Sequence, residues 1–224
     1  MKSWQASWTK VVLVVCLLTV AAGVSSAAVS GGFVARNVGG TVSLPDVNSS
    51  YYGRFHARFP AGTDVWGIHF GFRNIVRSPT SPLGGISETF DSTLQLQVRG
   101  NGVSRNIPVA ADCEVFTGPI NVGAKVQEFD TEMNRLEATL TGDPDFDYFH
   151  IVAGRANGYP SPGTTIITDQ GDGTSFVQSS FDISYRIDYK GSSNGFLKGQ
   201  SGSFEGTVTM SAYPAGSTPT ETAR

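Results

Sequence analysis

The chain has 224 residues, 16 of them basic and 19 acidic, with 39% apolar side chains, 27 glycines and 11 prolines. It is long enough to bury one sizeable core, and it is too rich in glycine and proline for a helical bundle. A formal charge of −3, with no cluster of lysine or arginine, excludes a partner recognised through nucleic-acid phosphates.

Residues 1–28 are expected to be a secretory signal peptide. Lys2 and Lys10 make the start positive, and residues 11–24 form an apolar run too short to cross a bilayer comfortably. Ser25, Ser26, Ala27 and Ala28 then supply the small residues a signal peptidase needs. Cys16 lies inside the apolar run after the bulky Val15, so lipoprotein cleavage is not expected. Cleavage near Ala28 places the product outside the cytoplasm, with no membrane span remaining. The 16 basic residues lose Lys2 and Lys10, leaving 14 against 19 acids and a net charge of −5. Cys113 is then the one cysteine left, so no intramolecular disulfide can form, and the residue reads as a buried apolar thiol. The expected division is a single β domain over 29–212 followed by a polar flexible tail over 213–224.

Residues 29–40 are glycine-rich and read as a loose arm. Residues 41–44 suit a short strand, stopped by Pro45 and the turn-forming stretch 46–50, where Asn48-Ser49-Ser50 matches a glycosylation acceptor. Over 51–59, Tyr51, Phe55, Ala57 and Phe59 alternate with Tyr52, Arg54, His56 and Arg58, which gives a strand with a basic, solvated outer face. In the next strand Trp66, Ile68, Phe70 and Phe72 are expected on the core face, opposite Gly67, His69 and Gly71. Residues 73–85 read as a loop of the length at which binding functions often sit.

From 86 to 98 the apolar phase is Ile86, Phe90, Leu94, Leu96 and Val98. Asn101-Gly102 predicts a tight hairpin, after which Val103, Arg105, Ile107 and Val109 keep the same period. Further extended pieces are expected at 114–116 and 120–129. Residues 130–140 are ambiguous, because Met133, Leu136 and Leu140 also fit a helical face, and they are read as a strand from their likeness to 90–100. The clearest strand is 175–191, in which Val177, Ser179, Phe181, Ile183, Tyr185, Ile187 and Tyr189 share one side. Phe-Asp recurs at Phe90-Asp91, Phe129-Asp130 and Phe181-Asp182 and marks three strands as the spine of the core. These strands, the frequent turn signals and the lack of a convincing long helix predict an all-β fold, an antiparallel β-sandwich or jelly roll, with a β-barrel as the alternative.

Five short motifs occur in order: Phe129-Asp130-Thr131-Glu132-Met133, Leu140-Thr141-Gly142, Ser161-Pro162-Gly163-Thr164-Thr165-Ile166, Ser180-Phe181-Asp182-Ile183 and Gly206-Thr207-Val208-Thr209-Met210. Together they resemble a group of uncharacterised secreted β-rich proteins of environmental bacteria. The resemblance covers residues 129–210, implies a secreted β-rich protein and brings no catalytic residue with it. Many such proteins end in a sorting helix, whereas residues 213–224 here are polar, so surface anchoring by that route is not expected.

Three constellations could carry chemistry. Asp143, Asp145 and Asp147 space three carboxylates at alternate positions and are the candidate calcium ligands, since a hard cation needs several converging oxygens. Tyr148 and Gly154 stand where a calcium loop would carry its glycine and its bidentate glutamate, so the competing reading is a solvated acidic turn. The basic neighbour expected to offset the three charges is Arg155. Asp169-Gln170-Gly171-Asp172-Gly173 reads as a β-turn that could complete a site with the first cluster. Gly191-Ser192-Ser193-Asn194-Gly195 matches the nucleophile-elbow pattern, but no helix is expected after it. Glu132 and Asp188 are candidates for a paired-carboxylate hydrolase site, and His56, His69 and His150 show no metal-ligand spacing.

The sequence therefore predicts a secreted non-enzymatic module, with no cofactor beyond candidate calcium. Its partner would be an extracellular glycan or surface component, or it would serve as an extracellular structural unit. The alternative is a secreted hydrolase acting on extracellular polymer. An enzyme should present converging titratable groups in a concave site.

Overall fold

The computed structural model describes residues 31–38, 41–42, 44–59, 63–100 and 102–217. The expected signal peptide, the residue Asn101 of the hairpin and most of the expected tail lie outside the described residues, as do the side chains of Arg54, His56 and Arg58. The described chain is all-β and antiparallel. Its strands are β1 Phe33–Val38, β2 Thr41–Val42, β3 Ser49–Phe59, β4 Thr63–Ser78, β5 Ser87–Gly100, β6 Val103–Thr117, β7 Val126–Thr141, β8 Phe146–Ala153, β9 Pro162–Asp169, β10 Thr174–Gly191 and β11 Ser201–Pro214. Among the described residues the one helical piece is a 3-10 turn at Arg155–Asn157.

The pairing order runs β11-β3-β4-β5-β6-β7-β8-β10, and β10 also pairs with β11. The hydrogen-bonded path therefore returns to its start. All of these strands belong to one antiparallel sheet around a single core. Between β7 and β10 two strands share one gap: β8 fills it beside Leu136–Thr141, and β9 fills it beside Val126–Glu132. At the start of β10, β1 pairs with residues 174–177, and β2 is attached to β1 by two residues.

Strict alternation makes β10 the organising strand. All seven of its expected inward residues are 8% exposed or less, while Asp182, Arg186 and Lys190 face solvent. Ile183 is 3% exposed, and its truncation to alanine would cost about 2–5 kcal/mol. The three Phe-Asp pairs behave alike: Phe90, Phe129 and Phe181 are each 5% exposed, with their aspartates turned outward. On β5, Phe90, Leu94, Leu96 and Val98 point inward as expected. The two pieces expected around 103–109 and 114–116 are one 15-residue strand, β6.

The structure departs from expectation in β4. Val65 and His69, not Trp66 and Phe70, face the core at 1% and 2% exposure, and Trp66 lies on the outer face with its ring 6.0 Å from that of Tyr52. A register shift between Phe70 and Arg73, where Gly71 has φ +68°, then returns Phe72 to the core. That bulge explains the error: Phe72 is correctly inward, but the extra residue puts it out of phase with the residues before it.

β7 is a strand, and a bulge produced its helical appearance. Glu114 pairs with Arg135 and Val115 with Met133, so Asn134 is an extra residue and Met133 and Leu136 face inward three positions apart. At the C-terminal end, Tyr213 and Pro214 pair with Ser50 and Ser49, so the sheet extends two residues into the expected tail.

The two ends of the enclosed interior differ. Where β3, β8 and β10 meet, Phe59 packs its ring edge-on against Phe146, Tyr189 and Phe204, with centroids 6.1, 4.9 and 5.3 Å away, and Leu197 is buried beside them. The opposite end, where β3, β5, β7 and β10 begin, contains polar side chains.

Candidate functional site

The site at the polar end is made by residues that occupy the apolar phase of a strand without being apolar. Glu88 and Ser92 alternate with Phe90 and Leu94 on β5, Thr131 lies between Phe129 and Met133 on β7, and Ser179 lies between Val177 and Phe181 on β10. Each is 4% exposed or less. Glu88, Thr131 and Ser179 border a cavity of about 30 Å³, room for roughly one water molecule. Phe72, Phe90, Val115, Met133, Phe181 and Met210 supply apolar wall, and Leu44 and Pro45, from the segment between β2 and β3, complete the lining.

Hydrogen bonding in this region is partly complete. Thr165 Oγ1 and Ser179 Oγ are 2.8 Å apart, and Ser179 also hydrogen-bonds Tyr51, whose phenol is pushed up to about 12 chiefly by burial. The Glu88 carboxylate is 1% exposed. Burial raises its pKa, and Arg77, with Nε 2.5 Å from Oε1, opposes that rise. Thr131 Oγ1 is buried with no hydrogen-bond partner.

His69 was expected on the outer face and is instead the centre of a polar cluster beneath the cavity. Its Nε2 is 2.6 Å from Ser92 Oγ, and Ser92 Oγ is 3.4 Å from the Ala111 carbonyl oxygen. The chain is satisfied when Nε2–H donates to Ser92 and Ser92 donates to Ala111. Burial pushes the imidazole down to about 4, so the ring is neutral at ordinary pH. Cys113 Sγ lies 3.5 Å from Nε2 and is buried as expected. The thiol is pushed up to about 12, chiefly by burial. An imidazole that burial makes so weak a base does not deprotonate a thiol that burial pushes up, so the contact does not make an activated nucleophile.

The other candidate residues are separated by the fold. Asp143 is gripped at both oxygens by Arg105, with Nη1–Oδ1 and Nη2–Oδ2 distances of 3.0 and 2.7 Å; Asp145 also pairs with Arg105, and Asp147 is 3.2 Å from Lys190. Burial alone would raise the pKa of Asp143, but Arg105 and the backbone N–H groups of Asp145 and Phe146 hold it below the usual carboxylate range. The cation that offsets this cluster is Arg105, not Arg155, which pairs with Glu132 at 2.7 Å. Among the described residues no group of three or more metal-ligating side chains converges.

Asp169 and Asp172 cap the β9–β10 turn, accepting from the N–H groups of Gly171 and Thr174. They cannot join the first cluster, because Asp169 pairs with Ser175 and Tyr148 with Lys190. Those partners stand 15 residues apart on β10, on the order of 50 Å. Glu132 and Asp188 do not form a pair, since Asp188 is held by Arg186 at 2.9 Å. Ser193 lies on a run of turns with no helix after it, so the strand-to-helix context of a nucleophile elbow is missing. His150 is half-buried near Tyr148, away from His69.

The signal for the actual cluster was present in the sequence as polar residues in the apolar phase of β5, β7 and β10. Fold and site together define an antiparallel all-β protein whose strands close around an interior that is aromatic at one end and polar at the other. Comparison with family models, with curated proteins and with solved structures finds no match. The resemblance to secreted bacterial proteins thus rests on its sequence motifs alone.

Proposed function

We propose that the protein is an exported, non-enzymatic binding module for an extracellular glycan or other surface component. One observation carries the preference for binding over catalysis: the titratable groups that converge in the interior are enclosed and held in unreactive forms. His69 is neutral, Tyr51 and Cys113 keep their protons, and the Glu88 carboxylate lies against Arg77. A polymer hydrolase needs an accessible acid and base or nucleophile, and Glu132 and Asp188 are each engaged by their own arginine. Export is supported by the character of residues 1–28.

The test is to incubate the exported protein with a panel of extracellular polysaccharides, measuring retention and release of reducing ends together. Retention without release, and an N-terminus near Ala28, are expected. Release that is lost in Glu132→Gln or Asp188→Asn would replace this reading with the hydrolase.

A further inference from the structure

The polar end of the interior has features that a closed core does not need. Thr131 is 4% exposed, borders the cavity and leaves Oγ1 without a partner. A buried hydroxyl without a hydrogen bond is unfavourable, and valine would fill the same volume without that cost. Gln127, four residues earlier on the same face of β7, likewise has a buried, unpartnered side-chain oxygen. Of the buried oxygens without a partner, which include Glu132 Oε1, that of Thr131 is the one that borders the cavity, while the opposite end of the interior is filled by aromatic rings in mutual edge contact.

The rest of the cavity defines what could satisfy Thr131. Its walls are chiefly apolar, so an occupant must present an apolar body. An anion would meet the Glu88 carboxylate, and a cation would compete with Arg77 for it, in an enclosure where unpaired charge is costly. A neutral group that both donates and accepts fits beside Thr131, Ser179 and Thr165. With Leu44 in place the space admits little more than a water molecule. Leu44 is contributed by an irregular segment and not by a ladder strand, which makes it the part of the wall that can move without breaking strand pairing.

We propose that this cavity is a binding site for a small neutral molecule with an apolar body and a single hydroxyl, admitted by displacement of Leu44 and Pro45 and recognised by Thr131. The inference goes beyond the binding reading above, since a polymer bearing many hydroxyls cannot enter this small, chiefly apolar enclosure. The test uses benzyl alcohol and toluene as probes, followed through the methyl NMR signals of Met133 and Met210, both of which line the cavity. Saturable shifts with benzyl alcohol are expected in the wild type. Leu44→Ala should tighten binding, and Thr131→Val should weaken benzyl alcohol about tenfold, the effect of one lost hydrogen bond, with toluene unchanged. Thr131→Ser, which keeps the hydroxyl, should bind benzyl alcohol as the wild type does, and it serves as the control if the valine variant does not fold.

No saturable shift in either the wild type or Leu44→Ala would overturn the proposal. So would equal binding of the two probes regardless of residue 131, the behaviour of a plain apolar void or of a hydroxyl satisfied by trapped water. Polysaccharide retention by a protein that shows no methyl shifts with benzyl alcohol would remove this site and leave the binding reading intact.

Discussion

His69 couples the folded state to acidity. In the unfolded chain its imidazole titrates near 6.5, and in the folded protein near 4. Between those values the unfolded chain holds a proton that the folded one does not. The stability His69 permits is therefore complete above pH 6.5 and is lost as the pH falls toward 4, by about 3 kcal/mol at the lower limit. Glu88, with its raised pKa, acts in the opposite direction, because the folded form takes up its proton at the higher pH. His69→Gln removes only the first effect. Denaturant midpoints at pH 7 and pH 4.5 should therefore converge for the variant and separate for the wild type; equal slopes in the two proteins would mean that His69 is not buried as a neutral ring. A second residue-scale expectation concerns Arg105. Arg105→Gln should lower stability at pH 7 by about 1 kcal/mol, allowing for screening at a guanidinium side chain that is 35% exposed. Since Asp143 has a depressed pKa, that difference should fade as the pH falls through it. Calcium would compete with Arg105 for the same oxygens, so any rise in melting temperature on adding calcium should be larger in Arg105→Gln than in the wild type; a rise of equal size in the triple Asp143, Asp145 and Asp147→Asn variant would clear these residues of the effect.

At the scale of the strand, the period was readable and the phase was not always so. β10 and β5 were legible because nothing interrupts their alternation. In β4, the aromatic residues Trp66 and Phe70 outweighed Val65 in a reading by hydrophobicity, although Gly71 marks the bulge that reverses the faces. In β7 the bulge at Asn134 compressed the inward positions to a spacing of three, which imitates a helix. Asn134 is held there by a side-chain bond from Nδ2 to Glu114 Oε2 of 2.7 Å. Deleting Asn134 would leave Met133 and Leu136 two positions apart, the spacing of an uninterrupted strand, so Phe129, Met133, Leu136 and Ala138 would all keep the inward phase. The expected outcome is a chain that still unfolds cooperatively, with a loss of about 1 kcal/mol from the missing Asn134–Glu114 hydrogen bond; loss of cooperative unfolding in urea would show that the bulge is needed to set the register. The polar cluster was missed for a related reason. Glu88, Ser92, Thr131 and Ser179 are ordinary residues in composition and become informative only once their strand phase is fixed. The sequence reads Arg77 as part of a loop, whereas its contact with Glu88 depends on β4 running to Ser78.

For the molecule as a whole, the closing seam between β3 and β11 is short. It consists of the pairs Ser211 with Tyr52, Ala212 with Tyr51, Tyr213 with Ser50 and Pro214 with Ser49. Ala212 is fully buried, and Tyr51 behind it meets Phe181 across the interior at 5.7 Å. A chain ending at Met210 loses the whole seam. Each missing backbone hydrogen bond costs on the order of 1 kcal/mol, so its urea midpoint should fall far below that of the full chain; an unchanged midpoint would place the seam outside the cooperative unit. The same seam joins residues more than 150 positions apart, since Ser50 pairs with Tyr213. A ribosome delivers β3 long before it delivers β11. Throughout that interval one margin of β3 has no native neighbour, and it offers bare N–H and C=O groups to any other extended chain. Dense crowding of nascent copies should therefore be more hazardous to this protein than heat is to the finished one, and slower translation past Met210 should lower the yield of correctly closed molecules.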